Sequence, residues 1–235
     1  FTADAAHELR TPLAGVRANV QLLQKELKNA TADQSEIMSD AVEGINRCSR
    51  LINQLLAISK SDSGIDTGTA AEPLNLEAIV QAVFQMESKH AQSKNISLSV
   101  SESSLQAIDL IRERGRLMAY TTGLELLVRN LVNNAIAYNK DGGTVVLEVE
   151  TSPQPNVIDR LSMHIRVKDD GPGIPMNKRS QVFDRFYRLH PNQSQGSGLG
   201  LSICNELAKL HCSTIEFTEG LNGRGIGFEI TLQES

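Results

Sequence analysis

Residues 1–62 carry an apolar pattern that a single chain cannot bury by itself. Leu9, Leu13, Val16, Val20, Leu23 and Leu27 alternate spacings of four and three, the seam of a coiled-coil-like helix. A polar stretch from Asn29 to Gln34 interrupts it, with Asp33 placed to cap the next helix. Ile37, Ala41, Ile45, Cys48, Ile52 and Leu55 then repeat the pattern. Two such helices leave one apolar stripe without a partner. The sequence therefore predicts a hairpin that pairs with a second copy into a dimeric four-helix bundle.

The period changes after this hairpin. Residues 63–72 are small, polar and Gly-containing, the composition of a linker. From Pro73 helices and strands mix: a helix over Leu76 to Ser93, a strand over Ile96 to Val100, and a largely helical stretch over Leu117 to Tyr138. Strands follow over Thr144 to Glu150 and Met163 to Lys168, then a helix over Leu199 to His211 and strands near Thr214 to Thr218 and Gly227 to Leu232. The expectation is an α+β chain, 1–62 a helical hairpin and 73–235 an α/β sandwich with one helical layer on a mainly antiparallel sheet. A net charge of −5 and an aromatic content of 4% without tryptophan argue against a nucleic-acid partner. Three separated cysteines with no CxxC pair suit a reducing compartment and not a zinc site.

Two glycine clusters point to a ligand. GSGLGLS (Gly196 to Ser202) opens a helix, where backbone N–H groups and the positive end of the helix dipole favour an anion. It lacks the Gly-Lys-Ser/Thr of a Walker loop, and its third glycine, Gly200, falls one position too early for a dinucleotide fingerprint. DDGPGIP (Asp169 to Pro175) sets a carboxylate before a Gly-Pro-Gly turn, and a partly buried Asp169 suits the exocyclic amine of adenine. In RNLVNNAIAYN, Asn130 and Asn134 share one helix face. Inward amides there suit phosphate or the oxygen shell of Mg²⁺. The three elements together read as an adenine nucleotide site.

In chain order the sequence carries AAHELRTPL, NLVNNAIAY, DDGPGIP, FDRFYR and GSGLGLSI. It resembles the cytoplasmic catalytic core of a two-component sensor histidine kinase, box by box and over nearly the whole chain. The resemblance implies an ATP-binding domain of the gyrase and histidine kinase type behind a dimerisation and phosphotransfer hairpin. His7 is then the phospho-acceptor, and Glu8 orients or deprotonates its ring. Thr11 matches the position that in phosphatase-competent relatives orients a water. Pro12 cannot donate to the carbonyl of Glu8, so the helix should bend just after the acceptor.

The same resemblance implies that Asp169 recognises the adenine amine while Gly171 and Gly173 shape the pocket wall. Asn134 is the Mg²⁺ ligand, Asn130 faces the phosphates, and Tyr138 packs against the base. Gly196, Gly198 and Gly200 handle the phosphates through backbone N–H groups. Phe183, Phe186 and Tyr187 form an aromatic hinge before an ATP lid over about Arg188 to Ser197. One departure stands out: relatives often carry Lys or Arg where this chain has Ala137, leaving Lys140, Arg185 or Arg188 to replace a phosphate contact.

The implied cofactors are ATP and Mg²⁺, and the implied partners are a second copy and the receiver domain of a response regulator. The chain opens at Phe1 inside a helical pattern, so an upstream part that includes the membrane anchor is expected. The expected location is then the cytoplasmic face of the bacterial inner membrane, with this fragment itself soluble. Gyrase-like ATPases place a glutamate base where this chain has Asn130, which disfavours hydrolysis by water. A degenerate kinase serving as a dimeric regulator-binding scaffold or phosphatase is the alternative, and Ala137 is its support.

Overall fold

The computed structural model describes residues 71–155, 157–189 and 198–234, and eight helical positions nearer the start: Gly15, Val16, Asn19, Val20, Leu22, Leu23, Gln34 and Ala41. The chain divides into two compact units, Phe1–Ile65 and Asp66–Ser235. Val16, Val20 and Leu23 of the expected first seam are helical. Val16 and Leu23 stand 49% and 50% exposed in the single chain. Ala41 of the expected second seam is helical too, and apart from these eight positions the predicted hairpin and most of its linker lie outside the described residues.

In the second unit, β1 (Glu72–Pro73) pairs with β3 (Met118–Ala119), and α1 (Leu76–Ser93), β2 (Ser97–Val100) and α2 (Ser103–Arg114) lie between them in sequence. Then come α3 (Thr121–Tyr138), β4 (Thr144–Pro153), β5 (Leu161–Asp169), α4 (Gly200–Leu210), β6 (Ile215–Glu219) and β7 (Ile226–Gln233). The main sheet runs β2-β4-β5-β7-β6, antiparallel except for the β2–β4 pair. The expected mainly antiparallel sheet is therefore present. Leu117 and its neighbours differ from the expected helix, because the N–H of Leu74 bonds the carbonyl of Leu117 and β3 completes a two-stranded ribbon with β1.

Strand alternation separates two faces. Val145, Leu147 and Val149 of β4, Met163, Ile165 and Val167 of β5, and Phe228, Ile230 and Leu232 of β7 are buried. Between them, on the other face, Glu148 of β4 lies opposite Arg166 of β5, which lies opposite Glu229 of β7. Arg166 bonds Glu150 and Glu229, and Lys168 bonds Glu148 at 2.6 Å, so this face is a lattice of cross-strand ion pairs. Helix α2 extends the shelter of β4 past the end of β2: the N–H of Val149 donates to Ser104 Oγ at 2.8 Å, in place of a strand partner.

The helical layer is built on spaced apolar faces. On α1, Asn75 caps Ala78 at 3.1 Å, and Leu76, Ile79, Val80, Val83 and Ala91 form the buried stripe. On α3 the stripe is Leu124, Leu127, Val128, Leu131, Val132, Ala135 and Ile136. The α1–α3 seam also buries one charge, Glu87, at 3% exposure. Its carboxylate accepts from Arg129 Nε at 2.9 Å and Asn133 Nδ2 at 2.8 Å. Burial pushes the Glu87 pKa up, but hydrogen bonds with His90, Asn133 and Arg129 and the charge of Arg129 outweigh it and bring the value down to about 2.

A depressed carboxylate stabilises the fold above its unfolded pKa, and that stabilisation fades as pH falls from about 4.5 toward about 2. The full effect is on the order of 3 kcal/mol. Urea unfolding of Glu87→Gln should show a loss of that order at pH 7, and the gap to wild type should close on acidification through this window. A gap that stays constant down to pH 2 would mean that the ionised carboxylate is not the source.

Candidate functional site

Strand β5 ends by delivering Asp169 to the floor of a depression between α3, the 170–175 turn and the start of β7. Asp169 is 7% exposed. Its Oδ1 accepts from the N–H of Gly171 at 2.8 Å and of Ile226 at 3.4 Å. Burial is the main influence on the carboxyl and lifts its pKa to about 6; the two N–H groups pull it down and the neighbouring Asp170 adds upward pressure. The two backbone donors hold one oxygen in place. A base amine arriving at this floor would meet a fixed carboxylate.

Gly225 makes that floor possible. Its φ is +73°, and a Cβ there would overlap the carbonyl oxygen of Asp169 and come within 2.5 Å of Oδ1. The NGRGIGF turn before β7 is thus a fourth wall, which the sequence reading left out. Its signal was present as three glycines alternating into a closing strand. Gly173 packs against the same turn, 2.9 Å from the carbonyl oxygen of Gly225 at its absent Cβ position.

The asparagines and the second glycine cluster meet at the other end. Asn134 faces the N-terminus of α4, with its Nδ2 3.4 Å from where a Cβ of Gly200 would stand. A Cβ at residue 200 would meet the amide at ordinary van der Waals contact. Asn130 lies one turn earlier on the same face of α3, half-buried. The arrangement sets an amide against the N-terminus of an 11-residue helix, a combination suited to phosphate oxygens.

The segment between Phe183 and Gly198 is fixed at its base. Phe183 packs on Phe217 at 5.5 Å between ring centroids, and Phe217 packs on Phe228 at 5.3 Å. Phe186 does not join them. It has φ +66° and is 70% exposed, because its left-handed backbone turns the ring outward. Its N–H instead bonds the carbonyl of Gly198 at 3.0 Å. A Cβ on Gly198 would lie 2.6 Å from the carbonyl carbon of Phe186, so the two backbones touch only because residue 198 is glycine. The expected aromatic hinge is thus a Phe183 anchor followed by a backbone clasp.

Tyr138, Lys140, Asp170, Gly171, Pro172 and Arg224 line an open cleft of about 420 Å³ beside Asp169. That volume falls within the range of about 300–1,000 Å³ common for small-molecule sites. Lys140 stands 3.4 Å from Asp170 Oδ2. The structure therefore groups Asp169, Gly171 and Gly173 with the Gly225 turn, lines one cleft with Tyr138 and Gly171, and sets Asn134 against Gly200. His7, Glu8, Thr11, Pro12, Gly196 and most of the expected lid lie outside the described residues. Among the described residues no group of His, Cys, Asp and Glu could hold a metal, and no helix is long and apolar enough to cross a membrane.

On the expectation that Asp169 accepts the adenine amine, affinity for an adenine nucleotide should weaken as pH falls through about 6, because the donor then loses its ionised acceptor. The drop should approach tenfold per unit below that point, with Mg²⁺ and ionic strength held constant (order of magnitude). Asp169→Asn removes this titration while leaving the phosphates' own, so subtracting the two profiles isolates it. Parallel profiles would contradict the assignment. Without ligand the same raised pKa acts oppositely on folding: its stabilisation is complete below pH 3.8 and is lost as pH rises through about 6.

Comparison with known families matches residues 1–64 to the His Kinase A (phospho-acceptor) domain. Residues 119–235 match the histidine kinase-, DNA gyrase B-, and HSP90-like ATPase domain. The swarming motility regulation sensor protein RssA of Serratia marcescens is 34% identical over 235 residues, which cover 100% of this chain and 46% of that protein. The sensor protein kinase PmrB of Pseudomonas aeruginosa is 34% identical over 237 residues, covering 100% of this chain and 45% of its own. The chain thus spans less than half the length of these relatives. Among solved structures, full-length ShkA in complex with AMPPNP shares the fold at TM-score 0.70 and 24% identity, over 100% of this chain and 46% of that one. Acinetobacter baumannii histidine kinase AdeS does so at TM-score 0.55 and 19% identity, over 97% of each chain.

Proposed function

The chain belongs to the two-component sensor histidine kinase family, and from that premise we propose that it moves the γ-phosphoryl group of ATP to His7 and then to an aspartate of a response regulator. Two observations support the nucleotide half: a buried carboxylate with one oxygen fixed by two N–H groups, and Asn134 against a glycine-opened helix N-terminus. Asp169 accepts the adenine amine, Tyr138 lies along the base, and the amides of Gly198 and Gly200, with Gly196 before them, meet the phosphates.

The donor set at the phosphate end fits a magnesium ion in one respect. Asn134 is a neutral oxygen ligand beside the phosphate site, and such an ion takes its remaining ligands from phosphates and water. Held there, it would offset the charge that develops on the transferred group. On the hairpin, neutral His7 attacks the γ-phosphorus in line, and the bond to the ADP oxygen breaks as the N–P bond forms. Glu8 takes or orients the proton on the other ring nitrogen. Thr11 serves the reverse activity by orienting a water toward the phosphorylated regulator. Two copies pair through the hairpin seam, a role consistent with the exposure of Val16 and Leu23 in the single chain. Whole relatives are longer, and the remainder of such a protein would supply the sensing part and the membrane anchor.

The test is transfer. The chain is charged with γ-labelled ATP and Mg²⁺, freed of nucleotide, and mixed with receiver domains. Label should leave the chain and appear on an aspartate of one receiver. Label that stays on the chain with every receiver offered would contradict the relay. Loss of label from a separately phosphorylated receiver, by a chain that never becomes labelled, would support the scaffold or phosphatase alternative.

A further inference from the structure

The last turn of α3 contains no basic residue of its own, yet its carbonyls are not left to water. Lys94, the residue that closes α1, reaches across and donates to the carbonyls of Ile136, Ala137 and Asn139 at 3.0, 2.8 and 2.9 Å. One ammonium group has three N–H donors, and all three are engaged. The backbone carbonyl of Lys94 also accepts from Gly142 at 3.0 Å, so this residue grips both ends of the 139–142 turn. Tyr138 lies between two of the held carbonyls.

The chain of bonds continues into the Asp169 floor. Asn139, 6% exposed, accepts from the N–H of Lys140 at 2.9 Å through Oδ1. Its Nδ2 donates to the carbonyl of Thr144 at 3.2 Å and to Asp170 Oδ1 at 3.1 Å. The same Asp170 oxygen accepts from the N–H of Thr144 at 2.7 Å. Asp170 is flanked by Asp169 and Gly171, the two residues of the carboxylate floor. From Lys94 to Asp170 there is thus a continuous relay of direct bonds that touches no nucleotide position itself but fixes Tyr138 on one side and Asp169 on the other.

We infer that Lys94 and Asn139 are positioning residues for the base-binding end of the nucleotide site, holding the end of α3 and the Asp169 turn in mutual register. The cation at the C-terminus of the nucleotide helix comes from α1, where it complements the helix dipole. This inference rests on the nucleotide reading of the site. Because the relay acts on the base wall and not on the reacting phosphate, it should change nucleotide affinity more than the rate at saturation.

The experiment is calorimetric titration of the full chain with ADP and Mg²⁺, alongside the initial rate of self-labelling at saturating ATP. Lys94→Met and Asn139→Ala should each weaken ADP binding by about tenfold, with the saturated rate within about twofold of wild type. The double variant should lose little beyond either single one, since both cut one relay. Lys94→Arg keeps the charge and several donors and should recover part of the loss. Wild-type affinity in both folded single variants would overturn the inference, as would full additivity in the double variant or a fall confined to the saturated rate. If Lys94→Met does not fold, Asn139→Ala decides by the same readout. A wild-type chain that binds no ADP would instead overturn the nucleotide reading beneath it.

Discussion

Gly225→Ala should abolish measurable binding of adenine nucleotide, although residue 225 contributes no side chain to the site. The reason is local and steric. The residue sits at φ +73°, where any Cβ is strained, and that Cβ would overlap the Asp169 carbonyl oxygen and press within 2.5 Å of its Oδ1. Rotating a side chain gives no relief, because the obstructing atoms include the backbone carbonyl oxygen and carbon of Asp169. Relief requires the 224–226 turn to move away, which takes the N–H of Ile226 from Asp169 and withdraws the wall on which Gly173 packs. Losing a charge-assisted bond and the register of the carboxylate together should cost at least about 100-fold in ADP affinity. Calorimetry with ADP and Mg²⁺ measures this, and circular dichroism checks that α3 and α4 persist. Affinity within about threefold of wild type would show that the Asp169 floor is not where the base binds.

His7→Ala should give the opposite separation: no phosphoryl label on the chain, and unchanged ADP affinity. His7, the proposed acceptor, is the only histidine in residues 1–62, so the substitution removes the only imidazole nucleophile of that stretch. The proposed nucleotide determinants Asp169, Asn134 and Gly200 all lie in the unit Asp66–Ser235, and His7 lies in the unit Phe1–Ile65. The expected result is label at background and an ADP dissociation constant within about twofold of wild type. Residual label above background in His7→Ala would move the acceptor to another residue. A parallel loss of ADP affinity would mean that the substitution acts through the fold.

The parts of the fold that read well from the sequence are those with a strong local period. Helix α1 and the strands β4, β5 and β7 alternate cleanly because each has one buried face, and the observed spans extend the expected ones by a few residues at most. Helix α2 did not stand out. Ala107, Ile108 and Ile111 are buried, but Leu105 and Leu110 project outward at 58% and 38% exposure, which blurs the apolar stripe. Gly115, left-handed at φ +58°, was the available stop signal. The ribbon of β1 with β3 could not be read either, since two residues on each side carry no period and their pairing spans more than forty positions.

The site divides along the same line. Asp169, Asn134 and the glycines stood out in the sequence because the proposed chemistry demands particular residue types in short, ordered motifs. Lys94, Asn139 and Ile226 were not. Each acts through a backbone carbonyl, an amide or an N–H group on a distant segment, with Lys94 reaching 42 to 45 positions and Ile226 reaching 57. Such contacts depend on where the fold folds back and leave no local pattern. Phe186 shows the converse: its motif suggested an aromatic hinge, but its left-handed φ and outward ring come from the clasp with Gly198.

One measurement reaches the central claim most directly: incubation of the wild-type chain with γ-labelled ATP and Mg²⁺, followed by acid and alkali treatment of the labelled protein. A phosphoryl group on a histidine nitrogen is lost in acid and kept in alkali, whereas a serine or threonine ester survives acid. The account predicts acid-labile, alkali-stable label that maps to the peptide containing His7. Bound ATP with no label, or label that survives acid, would contradict it.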